Sequence, residues 1–324
     1  MNITIDVVIP TCRPDGRLLE ILSLLGEQST PPANIFLINT GHEGLDELLR
    51  GNALSREDLI RRHPGLVIRD IEAQEFDHAG TRNMGMDLAA KAGADFTVLM
   101  TQDALPAGRD LLERLTAPML RDQEIAVSYA RQLPNPGADV PERLTRQFNY
   151  PDVSRKKTVG DLKELGVKTF FCSDVCAAYR MDVFREVGGF SAPAIFNEDM
   201  VYAASAMRRG YAVQYAADAA VVHSHRYSAS RQFHRNFDLG VSQADHPEVF
   251  ACSSSEHEGV RYVRCVLKEM AAEHSWPGMP GFIIGCAARL IGYRLGKNYR
   301  HLSRKMILRC TSNEAYWHRV WNLQ

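Results

Sequence analysis

The sequence predicts an α/β chain, a doubly wound sheet followed by a helical, basic C-terminal segment. Short β-rich runs alternate with helical ones through the first half, the pattern of such a sheet. The β-rich runs are almost continuously apolar, as parallel strands covered on both faces must be. Beyond about Ser253 the chain turns helical and its charge changes sign.

In chain order, Ile3–Ile9 reads as the first strand. Leu18–Leu25 reads as a helix stopped by Gly26. Ile35–Asn39, Leu66–Asp70 and Phe96–Thr101 read as further strands. Thr81–Ala92 reads as a helix closed by Gly93, where a left-handed residue ends the last turn. Leu133–Lys168 holds four prolines and the run Arg155-Lys156-Lys157, so a mobile excursion over the sheet is expected. Phe170–Arg180 looks extended, and Met181–Val187 looks like a short helix ended by Gly188-Gly189. Asn197–Arg209 looks like a helix ended by Gly210, after which Tyr211–His223 resumes a β pattern. No internal repeat is visible. These runs divide the chain into residues 1–252, with halves of about 1–130 and 131–252, and a helical segment 253–324.

The chain has 324 residues, 45% of them hydrophobic, enough for a core that needs no disulfides. Its seven cysteines are odd in number and scattered, which suits a reducing compartment. Cys172 and Cys176 are expected to be buried and inert. The N-terminus does not read as a signal peptide, and the longest later apolar run, Gly281–Ala288, is far shorter than the ~20 residues of a membrane span. A cytoplasmic protein is expected, or one held peripherally on the inner face of the cell membrane. Net charge is −1, yet Glu256 to Gln324 carries 11 Lys+Arg against 5 Asp+Glu. That basic segment points toward an anionic surface or ligand, with a solvated helix face as the plainer reading. No nucleic-acid partner is expected.

Three constellations carry chemistry. The first strand ends in Val8-Ile9-Pro10-Thr11, followed by Arg13. Ligands of open α/β sheets bind beyond the carboxyl ends of the strands, so Thr11 and Arg13 stand where a base or phosphate would lie. Neither GxGxxG nor GxxxxGK[ST] is present, which argues against a dinucleotide or P-loop site. Next, the strand Phe96–Thr101 delivers Gln102 and Asp103 at its tip. A carboxylate there suits a hard divalent cation that also bridges phosphate oxygens. A helix-capping Asp is the competing reading. Finally, Gly188-Gly189-Phe190 leads to Phe196-Asn197-Glu198-Asp199. Asn197 is expected to cap the following helix, whose macrodipole would keep Asp199 ionised and able to take a proton from an attacking hydroxyl. Downstream, His223 and His225 stand two apart on a β run, pointing the same way, and either could complete the cation's shell.

These pieces, in this order, resemble the inverting family 2 glycosyltransferases of GT-A fold, and most closely the bacterial rhamnosyltransferases of surface-polysaccharide assembly. The matching stretches are Val8-Ile9-Pro10-Thr11, Phe76-Asp77-His78-Ala79-Gly80-Thr81-Arg82-Asn83, Thr101-Gln102-Asp103 and Phe148-Asn149-Tyr150-Pro151. They continue with Val187-Gly188-Gly189-Phe190, Asn197-Glu198-Asp199 and Gly292-Tyr293-Arg294-Leu295-Gly296-Lys297-Asn298-Tyr299, so nearly the whole chain is covered.

The resemblance implies a Rossmann-like nucleotide-binding sheet with an acceptor-side half. It implies a divalent cation, Mg²⁺ or Mn²⁺, and a nucleotide-sugar donor bound at Asp103 with Gln102 beside it. Gln102 stands where the usual pattern has the first of two aspartates, as in the rhamnosyl-type members. Glu198 and Asp199 become the catalytic pair, with Asp199 as base. His223, with His225 as the alternative, becomes the histidine ligand. Thr11, Arg13, Asn39 and Arg82 match positions near the nucleotide, Asn39 replacing an Asp of many relatives. The donor implied is dTDP-L-rhamnose, the acceptor a glycan or lipid-linked saccharide, and the reaction a single in-line displacement with inversion. Another donor such as a UDP-sugar, a nucleotidyltransferase, and a binding-only module are the competing readings. The poor phosphate loop Thr11-Cys12-Arg13-Pro14-Asp15-Gly16 and the combination of Asp103, Asp199 and a histidine speak against the last two.

Overall fold

A computed structural model of the chain describes residues 3–225, 227–251 and 256–322, the side chains of 256–260 excepted. The chain opens β1 (Ile5–Cys12), α1 (Gly16–Gly26), β2 (Asn34–Thr40), α2 (His42–Gly51), α3 (Arg56–Arg62) and β3 (Leu66–Ile71). It continues α4 (His78–Ala92), β4 (Phe96–Met100), β5 (Leu105–Pro106), α5 (Leu111–Arg121) and β6 (Ile125–Leu133). Then come α6 (Val140–Asn149), β7 (Arg155–Lys157), α7 (Leu162–Leu165), β8 (Cys176–Arg180), α8 (Met181–Val187), α9 (Glu198–Arg208) and β9 (Ala212–Val222). Beyond these are α10 (Ala229–Asp245), α11 (Pro247–Phe250), α12 (Glu256–Ala272), α13 (Met279–Lys297), α14 (Arg304–Cys310) and α15 (Glu314–Asn322).

The strands form one sheet in the order β3-β2-β1-β4-β8-β6-β9-β5, with β7 paired to β9. The first four are parallel, as their apolar runs predict. Strand β8 enters antiparallel between β4 and β6, so the sheet is mixed rather than uniformly parallel. β6 and β9 run with β4, and their carboxyl ends therefore meet along one edge of the sheet. Along β1 the side chains alternate. Val7 and Ile9 pack with Leu18 and Leu22 of α1 on one face. Val8 packs with Met86 of α4 and Leu99 of β4 on the other. All three β1 residues are fully buried. Each such side chain stabilises the fold by about 1.5–3 kcal/mol.

The expectation of a mobile 133–168 segment is corrected. This stretch holds α6 and β7, and it buries Tyr150 and Lys157. Tyr150 rests against Phe171 and Tyr215, and the Lys157 ammonium lies over the Tyr129 ring. Proline and charge report local preference, whereas these residues are ordered by distant aromatic partners. The extended reading of Phe170–Arg180 shrinks to β8, because 166–170 winds into a 3-10 turn. Gly93 and Gly188 end their helices in the left-handed region, as expected.

The C-terminal helices pack onto the sheet domain through α10, through α12 against Val140 of α6, and through Arg319 of α15, which donates to the Gln74 and Phe76 carbonyls. No side-chain layer separates α13 from α10. A Cβ on Gly296 would lie 2.0 Å from the Phe237 carbonyl oxygen, and one on Gly292 2.3 Å from that of Phe233. Phe237 and Val241 of α10 share a core with Ile307, Tyr316 and Trp317. The boundary at 252–253 expected from sequence lies outside the described residues. Among the described residues, no helix is long and apolar enough to cross a membrane.

Candidate active site

Asp103 follows β4, and His223 follows β9. Short strand β5 pairs Leu105 with Val222, which carries the Asp103 loop against the end of β9. The two histidines and the carboxylate then converge. His223 Nε2 lies 3.5 Å from Asp103 Oδ1, and His225 Nε2 lies 3.0 Å from Asp103 Oδ2. The two Nε2 atoms are 2.9 Å apart, and all three ligand atoms fall within 4.8 Å of one another. Metal–ligand bonds of ~2.1 Å at near right angles require ligand atoms ~3 Å apart, so the spacing fits a divalent cation.

The tautomer follows from the hydrogen-bond network. Gln132 at the end of β6 donates its amide to the Tyr150 hydroxyl (2.6 Å) and to Ser173 Oγ (2.9 Å). Its Oε1 is therefore the acceptor for His223 Nδ1 at 3.0 Å and for Arg146. With Nδ1 protonated, the Nε2 lone pair points into the gap beside Asp103. Burial pushes the His223 pKa down despite Asp103, which keeps the ring neutral as a ligand must be. Burial opposes ionisation of Asp103, but the closeness of the two histidines holds it below the usual carboxylate range. The His225 ring also stacks on Tyr227, centroids 4.9 Å apart.

A second cluster forms around Arg82, near the start of α4. Its Nε lies 3.0 Å from Asp174 Oδ2 and its Nη1 3.1 Å from Glu198 Oε1. Nη1 also donates to the His78 carbonyl at 3.0 Å. Asp199 is half-buried beside them, accepting from the backbone N–H groups of Asp174 (3.3 Å) and Met200 (2.7 Å). Three carboxyls thus face one guanidinium. Against burial, Arg82 holds Glu198 below its usual range. Burial pushes Asp174 up to about 6. Burial and then the neighbouring Asp174 and Glu198 raise Asp199 well above its ordinary value. The macrodipole of α9 is therefore not the only influence on Asp199: desolvation and like charge pull its proton affinity the other way. Asn197 does not cap α9 with its side chain. It sits at φ 61°, and its amide donates to Ser242 Oγ at 3.1 Å.

The two clusters are joined. From His223 the polar path runs through Gln132 to Ser173, and the next residue, Asp174, donates its N–H to Asp199. Asp103 and Asp199, 96 positions apart in sequence, are thus linked by one chain of contacts.

The remaining sequence-derived residues fare differently. Thr11 Oγ1 donates to Asn39 Oδ1 at 3.2 Å, and the Asn39 amide donates to Gly41 O and to Asp70 Oδ1. Asn39 is fully buried with both ends of its amide engaged, so any contact from this strand end needs Thr11 or Asp70. Arg13 is exposed, its backbone at φ 46° against Gly44. Gln102 does not face the cation cluster: its amide accepts from Cys12 N (2.9 Å) and donates to Cys12 O (3.1 Å), clamping the β1 tip to the β4 tip. An Asp there could accept but not donate, which accounts for Gln in place of the first aspartate. Arg82 joins the acids rather than Thr11 and Asn39. Sequence reading missed Asp174, Gln132 and Arg17, whose Nη1 comes within 3.9 Å of Asp103 Oδ2. The available signal was slight: an acid just before β8, and a basic residue in the first turn after β1.

Comparison with known proteins gives the family. Residues 3–238 match the family model described as Glycosyltransferase like family 2. The chain is 31% identical to the O-antigen chain rhamnosyltransferase RfbN of Salmonella typhimurium over 98% of this chain and 96% of that one. It is 34% identical to the O-antigen chain rhamnosyltransferase WbaN of Salmonella anatum, over 77% of this chain and 78% of that one. Among solved structures, the mannosyltransferase PcManGT from Pyrobaculum calidifontis, in complex with GDP-Man and Mn²⁺, superposes with a TM-score of 0.59 at 14% identity. That match covers 92% of this chain and 88% of the other. S. aureus TarS 1-349 superposes with a TM-score of 0.52 at 14% identity, covering 92% and 91%. The fold is GT-A, and the chain belongs to the family 2 glycosyltransferases.

Proposed function

We propose that the enzyme is an inverting rhamnosyltransferase that moves L-rhamnose from dTDP-L-rhamnose onto a hydroxyl of a glycan or lipid-linked saccharide during surface-polysaccharide synthesis, at the cytoplasmic side of the membrane. The names of its relatives support the sugar. The observation that carries the site is the convergence of Asp103, His223 and His225 at the carboxyl edge of the sheet, linked by hydrogen bonds to Asp199.

Asp103, His223 and His225 would hold Mg²⁺ or Mn²⁺, which when bound neutralises charge on the donor diphosphate. Arg17, beside Asp103, would add a second positive charge there. Thr11 and Arg13 lie at the β1 end on the nucleotide side. Asp199 serves as base, taking the proton from the acceptor hydroxyl as it attacks the anomeric carbon from the face opposite the nucleotide. Its raised proton affinity suits that task. Glu198, pinned by Arg82, positions the cluster rather than touching substrate.

The test is release of dTDP from dTDP-L-rhamnose in the presence of an O-antigen-type lipid-linked acceptor and Mn²⁺, with linkage configuration read by NMR. Release with UDP- or GDP-sugars only would overturn the donor, and retention of configuration would overturn the displacement.

A further inference from the structure

Helix α13 presents two opposite faces. Gly292 and Gly296 lie against the α10 backbone. On the other side Ile283, Ile284, Leu290 and Ile291 are 51%, 58%, 45% and 55% exposed, and Trp276 just upstream is 57% exposed. Positions 283, 284, 290 and 291 fall on one helical stripe, with Ala287 between them, also exposed. Single exposed apolar side chains are ordinary, but a contiguous stripe of this kind marks a docking surface.

Charge identifies what docks. From Trp276 to Asn313 the chain holds seven Lys and Arg and no Asp or Glu. Arg294 and Lys297 continue the stripe on exposed positions in the last turn of α13, and Arg304 and Lys305 follow at the start of α14. An apolar stripe with a tryptophan at one end and bases at the other matches an anionic bilayer interface, where rings and alkyl groups enter the acyl boundary and cations meet headgroup phosphates.

The same helix walls the cleft that leads to the site. A cavity of about 960 Å³ runs from His225 and Glu142 to Gly281, Gly285 and Arg289. The geometry points to α13, with Trp276, as a membrane-docking surface for anionic lipid that sets the mouth of the active-site cleft at the bilayer surface. This extends the proposed function by giving the side from which a lipid-linked acceptor arrives. Docking is measured without turnover, so its failure and that of rhamnosyl transfer are separable.

The experiment is co-sedimentation of the full chain with phosphatidylcholine vesicles, with and without phosphatidylglycerol, at low and high salt. Wild type should bind vesicles containing phosphatidylglycerol, less at high salt. Ile283→Glu with Ile284→Glu should lower partitioning at least about tenfold, since both side chains would leave the acyl boundary as charges. Its melting temperature should not move, because both positions already face solvent. Val153→Glu, at a residue 71% exposed elsewhere, should bind as wild type. The proposal is overturned if wild type ignores anionic vesicles or if the double variant binds them equally. It is also overturned if the stripe proves to join two copies of the chain, seen as a dimer that the double variant dissolves.

Discussion

Arg82→Met tests the electrostatic account of the acceptor-side cluster. The guanidinium lies about 3 Å from both Asp174 and Glu198, and its side chain is 11% exposed. Removing one partner of a buried pair typically destabilises by about 3–5 kcal/mol, because uncompensated charge stays behind. That is a large fraction of the ~5–15 kcal/mol available to a folded domain, but not all of it. The effect should depend on pH with a definite sign. Asp174 and Asp199 already have raised folded pKa values, so their contribution to stability is present below pH 3.8 and is lost as pH rises through about 6 for Asp174. Without Arg82 all three carboxyls bind protons more tightly in the folded state. The variant should therefore lose more stability at pH 8 than at pH 5, by up to about 1.4 kcal/mol per pH unit for each retained proton. Urea unfolding at the two pH values measures this. Equal destabilisation at both, or a loss under about 1 kcal/mol, would refute the cluster. A variant of unchanged stability with weakened nucleotide binding would instead return Arg82 to the nucleotide side.

Three further substitutions have expected outcomes. Asp199→Asn should keep donor binding, measured by calorimetry, while kcat falls by about two to four decades, and the wild-type rise in rate as Asp199 loses its proton should vanish. Asp103→Ala should abolish the extra thermal stabilisation that Mn²⁺ gives with dTDP; an undiminished Mn²⁺-dependent shift would remove Asp103 from the cation site. Gly296→Val puts a Cβ 2.0 Å from the Phe237 carbonyl, so α13 must move off α10. A loss of about 3 kcal/mol or more by thermal unfolding is expected, with a wild-type melting curve counting against the close contact.

Much of this was legible in the sequence because it is local or periodic. Continuous apolar runs marked the parallel strands, and Gly93 and Gly188 marked helix ends; His223 and His225 do meet, although both lie just past the end of β9 rather than on it. Asp103 could be singled out because a carboxylate at a strand tip has few structural uses. What stayed hidden depends on partners remote in sequence. Asp174 has no local signature, and its importance comes from Arg82, 92 residues earlier. Tyr150 and Lys157 sit in a proline-rich stretch ordered by remote partners, among them Tyr215, Phe171, Tyr129 and strand β9. Asn197 and Asp199 obeyed helix-start rules on paper, yet a left-handed backbone and neighbouring acids also act on them. Gln102 was legible as the neighbour of Asp103, whereas its clamp on the Cys12 peptide, 90 residues away, was not.

The bare glycine seam between α10 and α13 has a practical consequence. A shortened version ending at residue 251 would strip the cover from Phe237, and would leave Asp238 without the Thr311 and Ser312 groups that bond to it. Such a fragment would keep every group assigned to chemistry and still be prone to clump during expression, so insolubility of a trimmed clone would say nothing about its catalytic groups.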